Sequence, residues 1–156
     1  IGSAVAGALT IRRAAAGDEQ AWSGLWTAWQ SHMGGRVPED VSASAWTQII
    51  TPGSGLFALL AFSNEGALGF ANVSATPFAW TAGPILFLQD LYVAPEARGR
   101  GLGRSLLQAV YDEADALGAA QVFWMVDELD SDLQAFYARQ GIRTPYLRYM
   151  RRPWSW

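Results

Sequence analysis

The sequence predicts a single folded domain of the α/β or α+β class. The chain has 156 residues, of which 51% are hydrophobic and 16% charged, which is enough to bury a core and too apolar for disorder. Strand and helix signals follow in the order β-α-α-β-β-β-α-β-α-β, with no repeat and no interior linker. We expect the domain to span residues 1–156, with a folded core at about 9–150 and a loose N-terminal end at 1–8.

The N-terminal half predicts a strand, two helices and a hairpin. A short alternating run at 9–13 precedes 17–30, where tryptophans recur at helical spacing. A second helix is predicted over 38–50, since proline is tolerated in a first turn. Two apolar runs, 55–62 and 67–73, flank a Ser-Asn-Glu-Gly turn and predict a β-hairpin.

The C-terminal half predicts three strands that alternate with two helices. They are expected at 85–93, 102–117, 121–126, 131–140 and 146–150. Gly118 and Gly141 suit the C-terminal ends of the two helices, and Asp130 is the predicted N-cap of the second. No apolar stretch reaches the roughly 18 residues that a membrane span needs.

Composition excludes several kinds of chemistry. The net charge of −3 and the pI near 5.0 argue against a general nucleic-acid binder. All eleven basic residues are arginine, which excludes a lysine Schiff base and a Walker-type lysine. There is no cysteine for a nucleophile or a thiolate zinc site, and the single histidine, His32, excludes a multi-histidine site. We therefore expect no metal.

The segment from Arg98 to Arg104 combines three arginines with three glycines ahead of an apolar helix. It lacks the GK[ST] of a P-loop and the GxGxxG spacing of a dinucleotide-binding turn. A third interpretation is capture of a pyrophosphate at the helix N-terminus, where glycines leave backbone N–H groups open and arginines add charge. On the pattern alone, a glycine-rich loop with solvated arginines is the alternative.

The residues around this segment resemble motif A of the GCN5-related N-acetyltransferase (GNAT) superfamily. Residues 88–103 read LQDLYVAPEARGRGLG, and the Q/R-x-x-G-x-G/A core of the motif falls on Arg98, Gly101 and Gly103. Downstream, 135–142 reads AFYARQGI and resembles motif B of the same superfamily. The resemblance covers nearly the whole chain, and LQDLYV, WMVDELD and RTPYLRY look most like the branch of histone/polyamine and diamine acetyltransferases.

The resemblance implies a mixed, mostly antiparallel sheet with a splayed parallel strand pair and about four flanking helices. It also implies acetyl-CoA as the donor and direct transfer to a primary amine, on a polyamine- or diamine-like small molecule or a protein lysine. Nucleic acid and membranes are not expected as partners, a homodimer is common in the superfamily, and we expect a cytoplasmic protein. The alternative is a non-catalytic acyl-CoA-binding module with the same fold.

By the same resemblance, the coenzyme lies between the splayed strands and against the glycine-rich loop. The pantetheine arm is expected along 91–93 and the pyrophosphate at the backbone of 98–105. The implied coenzyme-binding residues are Leu91, Tyr92, Val93, Arg98, Gly99, Arg100, Gly101, Leu102, Gly103, Arg104, Ser105, Asp130 and Tyr137.

Four residues are candidates for the chemistry. The resemblance implies that the N–H of Val93 polarises the thioester carbonyl and that Tyr137 protonates the departing thiolate. Asp90 and Glu128 are candidates for attracting the amine or relaying its proton through water. The alternatives are a core tyrosine at 137, a buried hydrogen-bond partner at 90 and a solvated loop charge at 128.

The acceptor is expected against the aromatic N-terminal half, where this superfamily varies its substrate. Trp80, Phe78, Trp26 and Gln89 are the predicted contacts, since aromatic faces attract cationic amines. Core packing is the alternative for the helical tryptophans. The lone His32 is interpreted as a surface residue or as a proton carrier.

Four positions depart from the family pattern. Gln89 stands where diamine-type relatives often carry glutamate, and Asp130 replaces the usual asparagine of motif B. Leu133 replaces a common alanine, and Ile142 replaces phenylalanine. Gln89 and Asp130 motivate the binding-module alternative, but the coenzyme signature stays in place.

Overall fold

The computed structural model describes residues 8–152, so nearly all of the predicted loose end at 1–8 lies outside the described residues. The chain forms two compact units that divide after Trp124. The first unit holds the sheet and the first three α-helices, and the second holds the last α-helix. That the whole chain acts as one domain stays a prediction.

The sheet of the first unit has five strands: β1 (Thr10–Arg13), β2 (Leu56–Ser63), β3 (Gly66–Thr76), β4 (Ile85–Val93) and β5 (Gln121–Phe123). They lie in that order across the sheet. Neighbouring strands are antiparallel except β4 and β5, which are parallel. The predicted mixed sheet with one parallel strand pair is confirmed.

Three helices cover the two faces of this sheet: α1 (Glu19–His32), α2 (Glu39–Ile50) and α3 (Leu102–Ala116). The predicted glycine cap of α3 is confirmed. Gly118 has a φ of +62° and donates to Asp115, while the next residue donates to Ala114. These two backbone bonds form a Schellman turn, which glycine favours because it adopts the left-handed conformation without strain.

An aromatic cluster fills the space between α1, α2 and one face of the sheet. The Trp22 ring lies 5.5 Å from the rings of Trp26 and Trp46, measured between centroids. Phe70 of β3 and Tyr92 of β4 contribute buried rings to the same core. Full burial of one large apolar side chain contributes roughly 1.5–3 kcal/mol, so this cluster is a main source of stability. Core packing therefore explains the helical spacing of these tryptophans.

A β-bulge in β4 determines which of its side chains face α1 and which face α3. Asn72 of β3 pairs with Asp90, but its neighbour Val73 pairs with Leu88, so Gln89 is an extra residue. Side chains alternate between the two faces of a strand, and an extra residue reverses that alternation. Asp90 therefore lies on the α1 face, whereas Leu88 is buried on the α3 face and Gln89 is exposed.

The second unit contains α4 (Ser131–Ala138). The predicted N-cap is confirmed, because Asp130 Oδ1 accepts the backbone N–H of Leu133 at 3.0 Å. The predicted last strand at 146–150 is wrong, since within the described residues no strand follows β5. Tyr146 and Leu147 are adjacent apolar residues, which cannot share one face of a strand, and they are 87% and 80% exposed. The strand predicted for 121–126 likewise ends at Phe123.

Candidate active site

β4 and β5 pair over only three residues and then part. The parallel ladder ends at Phe87 and Phe123, whose rings stack with their centroids 4.9 Å apart. β4 continues to Val93, so among the described residues its backbone groups on this side have no partner in β5. Residues 91–93, predicted to contact the pantetheine arm, lie on this unpaired length of strand. This edge of β4 therefore offers backbone donors and acceptors that β5 does not reach.

The N-terminus of α3 is open to an anion. Gly99 and Gly101 have φ values of +78° and +76°, and Gly101 is the N-cap with no side-chain capping bond. The first backbone bond of the helix runs from the N–H of Ser105 to the carbonyl of Gly101, at 3.0 Å. The N–H groups of 102–104 therefore have no acceptor within the helix. A Cβ at Gly99 or Gly101 would meet no atom within 4 Å, so this end of the helix leaves room for a pyrophosphate.

The three arginines of this segment have different surroundings. Arg98 donates from Nε to the carbonyl of Val93 at 3.0 Å, and its guanidinium lies 5.6 Å from the centre of the Tyr92 ring. Arg100 donates to the carbonyl of Glu96 at 3.3 Å. Arg104 is exposed on the first turn of α3. Arg98 therefore ties the glycine-rich loop to the end of β4, and all three add positive charge beside the open N–H groups.

Asp90 accepts two side-chain hydrogen bonds. Trp29 Nε1 of α1 donates to Oδ1 at 2.8 Å, and Asn72 Nδ2 of β3 donates to Oδ2 at 3.0 Å. Asn72 Oδ1 in turn accepts the indole N–H of Trp22 at 3.0 Å. Desolvation by burial raises the pKa of Asp90, and the bonds from Asn72 and Trp29 oppose that rise only in part. The interpretation of Asp90 as a buried hydrogen-bond partner agrees with this geometry.

Aromatic rings surround the end of β4 on the α1 face. Trp29 lies 5.7 Å from Tyr92 and stacks on His32 at the same distance, with an interplanar angle of 19° for the stacked pair. The His32 ring is 6.2 Å from that of Tyr92 and is exposed. His32, predicted as surface or proton carrier, therefore belongs to the aromatic wall beside Asp90.

The four predicted acceptor contacts have different environments. Trp26 is packed against Trp22, donates to Ser42 Oγ at 3.0 Å, and lines a cleft of about 250 Å³ between α1 and α2. Phe78 is half-buried, and Trp80 is 87% exposed in the turn before β4. Gln89 projects from the bulge. The structure thus places Gln89 next to Asp90, while Trp26 lies mainly in the core.

Sequence reasoning missed several members of this site. Trp29 was visible only as one position of the helical tryptophan stripe, and its bond to Asp90 depends on how α1 crosses the sheet. Asn72 gave no signal, because its role depends on the register between β3 and β4. Trp22, which donates to Asn72, was likewise visible only as a position in the tryptophan stripe of α1.

Three predicted residues belong to the second unit. Burial raises the pKa of Tyr137 to about 12, so its phenol stays protonated at neutral pH. The side chain of Asp130 caps α4. Glu128 is exposed, and its backbone carbonyl accepts a bond from Gln134 Nε2 at 2.7 Å.

Within residues 8–152, no group of three or more His, Cys, Asp or Glu residues is placed to hold a metal ion. No helix in this range combines the length and the apolar character needed to cross a bilayer.

The chain was compared with known proteins. A model described as the acetyltransferase (GNAT) family matches residues 20–142. The chain is 33% identical over 136 residues to D-amino-acid N-acetyltransferase HPA3 of Saccharomyces cerevisiae, covering 86% of this chain and 84% of that protein. It is 28% identical over 155 residues to aminoglycoside N(6')-acetyltransferase type 1 of Stenotrophomonas maltophilia, covering 96% of each.

A solved structure repeats the fold. The aminoglycoside acetyltransferase AAC(6')-Iy, in complex with the bisubstrate analog CoA-S-monomethyl-acetylneamine, superposes with a TM-score of 0.79 at 21% identity, covering 95% of this chain and 99% of the other. The edge of β4 beyond the β5 ladder, the open helix N-terminus and the family match agree with one another. The chain belongs to the acetyltransferase (GNAT) family.

Proposed function

We propose that this chain transfers the acetyl group of acetyl-CoA directly to a primary amine of a small molecule. As a GNAT family member it is an acyltransferase, and acetyl-CoA is the donor that the family uses. The observation that carries the proposal is the parting of β4 from β5 beside the uncapped N-terminus of α3. A strand edge with backbone groups that β5 does not reach and an uncapped helix N-terminus suit a ligand with an extended amide arm and a pyrophosphate.

The coenzyme would be held mainly by backbone. The pyrophosphate would lie against the backbone of 98–105 and take the N–H groups of 99–104, since that of Ser105 already donates to Gly101, with charge from Arg98, Arg100 and Arg104. The pantetheine amides would take backbone groups of 91–93 on the edge that β5 does not reach, apart from the Val93 carbonyl, which already accepts from Arg98. Both positive-φ glycines of the loop have open space where a side chain would begin, which agrees with this placement.

The chemistry supplied by acetyl-CoA is an activated acetyl thioester. The N–H of Val93 would stabilise the negative charge that develops on the carbonyl oxygen. Tyr137 would donate a proton to the departing sulfur, and its raised pKa keeps it protonated over the working pH range. The chain has no cysteine to carry an acyl group, which supports direct transfer. Glu128 is the proposed carboxylate for attracting the amine or relaying its proton.

We propose that the amine binds on the face of the sheet covered by α1. The Asp90 carboxylate and the Trp29, Tyr92 and His32 rings lie together there, and this combination attracts a cation. Two relatives are named for D-amino acids and aminoglycosides, both small amines. A polyamine or diamine fits the same chemistry, and a protein lysine is the second candidate. A homodimer stays a prediction that sedimentation would test.

The proposal is tested with a panel of amines and a thiol-release assay. Spermidine, 1,4-diaminobutane, a D-amino acid and an aminoglycoside are each mixed with acetyl-CoA and the chain, and free thiol is followed. A histone-derived peptide tests the lysine alternative, and this signal is unambiguous because the chain itself contains no lysine side chain. Thermal stabilisation by acetyl-CoA without thiol release from any amine would favour the binding module. No stabilisation at all would contradict the coenzyme site.

A further inference from the structure

We propose that Asp90 is a positioning residue for the acceptor: its carboxylate, clamped by Trp29 and Asn72, fixes the last turn of α1 against the end of β4. The inference rests on the proposed function, because it takes the amine to bind on the α1 face of the sheet. It assigns to Asp90 and Trp29 a joint role in acceptor affinity, and it assigns proton removal to another group.

Asp90 is the final acceptor of two side-chain hydrogen bonds, one from Trp29 and one from Asn72, and Asn72 in turn accepts a bond from Trp22. Trp22 donates to the amide oxygen of Asn72 at 3.0 Å, which fixes the amide so that its NH₂ group faces Asp90. Trp29 donates to the other carboxylate oxygen at 2.8 Å. Each oxygen therefore has one donor whose direction is set by a separate element of the fold. A neutral amide at position 90 would place its own NH₂ group against one of these donors.

These bonds connect three elements at one point. Trp29 is in the last turn of α1, Asn72 is in the middle of β3, and Asp90 directly follows the bulge in β4. Tyr92 lies two residues further along β4, on the same face, with its ring 5.7 Å from Trp29. A change in the angle of the Trp29 indole would therefore move the aromatic wall that the amine is proposed to meet.

A positioning role suits the carboxylate better than a role as base. Its oxygens already accept bonds from two neutral donors, and none of its hydrogen-bond partners takes up a proton. The bulge brings Asp90 to this face, whereas Gln89 offers only an amide at the neighbouring exposed position. The charged and titratable groups in contact with Trp29 and Tyr92 are His32, which stacks on Trp29, and Arg98, whose guanidinium lies 5.6 Å from the centre of the Tyr92 ring.

The test compares Asp90→Asn, Trp29→Phe and the double variant with wild type. Trp29→Phe keeps an aromatic ring but removes the N–H, and it covers the case in which Asp90→Asn fails to fold. Asp112→Asn is the matched control, because Asp112 also accepts a side-chain amide N–H at 3.0 Å but lies on the exposed side of α3. Initial rates are measured with acetyl-CoA and whichever panel amine wild type turns over fastest. The indole N–H resonances of ¹⁵N-labelled protein are recorded for each variant.

We expect each single variant to raise the KM for the amine about tenfold, as loss of one charged hydrogen bond does, and to leave the KM for acetyl-CoA unchanged. The double variant should be no worse than the worse single variant, because both remove the same contact. Each variant should keep the fall in rate at low pH that wild type shows, because the proposed proton acceptor is another group. The resonance assigned to Trp29 should shift in Asp90→Asn and not in Asp112→Asn.

Two results would overturn the inference. One is a combination of two outcomes: Asp90→Asn loses most of its kcat and no longer shows a fall in rate at low pH, while Trp29→Phe keeps wild-type kinetics. That combination would make Asp90 a base. The other is an unchanged KM for the amine in both single variants. Failure of the proposed function is distinguishable, since wild type would then turn over no amine while the indole resonance still reports the Trp29–Asp90 contact.

Discussion

The Trp29 indole donates its N–H to Asp90 Oδ1 at 2.8 Å, across a sequence separation of 61 residues. The bond joins the end of α1 to β4 directly after the bulge, where the alternation of side chains between the two faces of the sheet reverses. Because Asn72 binds the other oxygen, the carboxylate is held from two sides. Its ionisation should therefore be visible in the stability of the protein.

The first prediction concerns pH and stability. Desolvation raises the pKa of Asp90, so the folded state favours the protonated carboxyl more than the unfolded state does. The stabilising contribution of that proton is complete below the ordinary pKa of about 3.9 and is lost as the pH rises through the raised value. The free energy of unfolding of wild type, relative to Asp90→Asn, should therefore fall as the pH rises from about 4. Urea unfolding of both proteins between pH 4 and 7 measures this, and a difference that grows with pH would contradict it.

The second prediction concerns the open helix N-terminus. Gly101→Leu should weaken acetyl-CoA binding at least about tenfold, because a side chain would enter the space proposed for the pyrophosphate and strain a φ of +76° by roughly 1–2 kcal/mol. Isothermal titration calorimetry measures the affinity. Gly66→Leu is the matched control, since Gly66 also has a positive φ, +109°, and lies at the first residue of β3 after the turn from β2. Equal affinity in wild type and Gly101→Leu would remove the pyrophosphate from this site.

The third prediction concerns the proposed general acid. Tyr137→Phe should lower kcat about a hundredfold, within the usual range for loss of a proton donor, and leave acetyl-CoA binding intact. Because the pKa of Tyr137 is raised to about 12, its ionisation does not affect the rate below about pH 10. Any fall in rate on the alkaline side below that pH belongs to another group and should persist in the variant. Tyr111→Phe is the control, since burial also raises the pKa of Tyr111 but it lies on α3. Unchanged kcat in Tyr137→Phe would exclude the role.

The fourth prediction concerns the unpaired edge of β4. Saturating acetyl-CoA should slow hydrogen exchange at amides within 88–93, because the pantetheine arm would occupy backbone groups that β5 does not reach. Exchange in β2, which has a strand on each side, should change little. Mass spectrometry of peptic peptides separates the two segments. An unchanged exchange rate over 88–93 at saturation would place the arm elsewhere.

Much of the fold follows from local patterns in the sequence. β4 was predicted with the bounds it has, because its apolar run is limited by Pro84 and by Ala94-Pro95. The cap residues Gly118 and Asp130 were identified from chemistry that acts within a few residues. The last strand was wrong because a strand needs a partner, and a partner is not a local property of 146–150.

The candidate site could be predicted only in part. The glycine-rich loop was visible because glycine spacing and a helix start lie within ten residues of each other. The clamp on Asp90 was not, because it depends on the crossing of α1 and on a register shift between β3 and β4. Long-range register, rather than residue type, separates the part that was predicted from the part that was missed.

Because of the bulge at Gln89, side chains with the same numbering parity point to opposite faces of the sheet in the two halves of β4. Before it, the even-numbered Leu86 and Leu88 are buried in the core beneath α3, and after it the even-numbered Asp90 and Tyr92 lie on the α1 face, where the amine is proposed to bind. One strand thus directs its even-numbered side chains to the core in its first half and to the proposed acceptor site in its second half, on opposite sides of the sheet. Substitutions in the second half can therefore accumulate without repacking the first, so the proposed acceptor wall can change while the core beneath α3 stays the same.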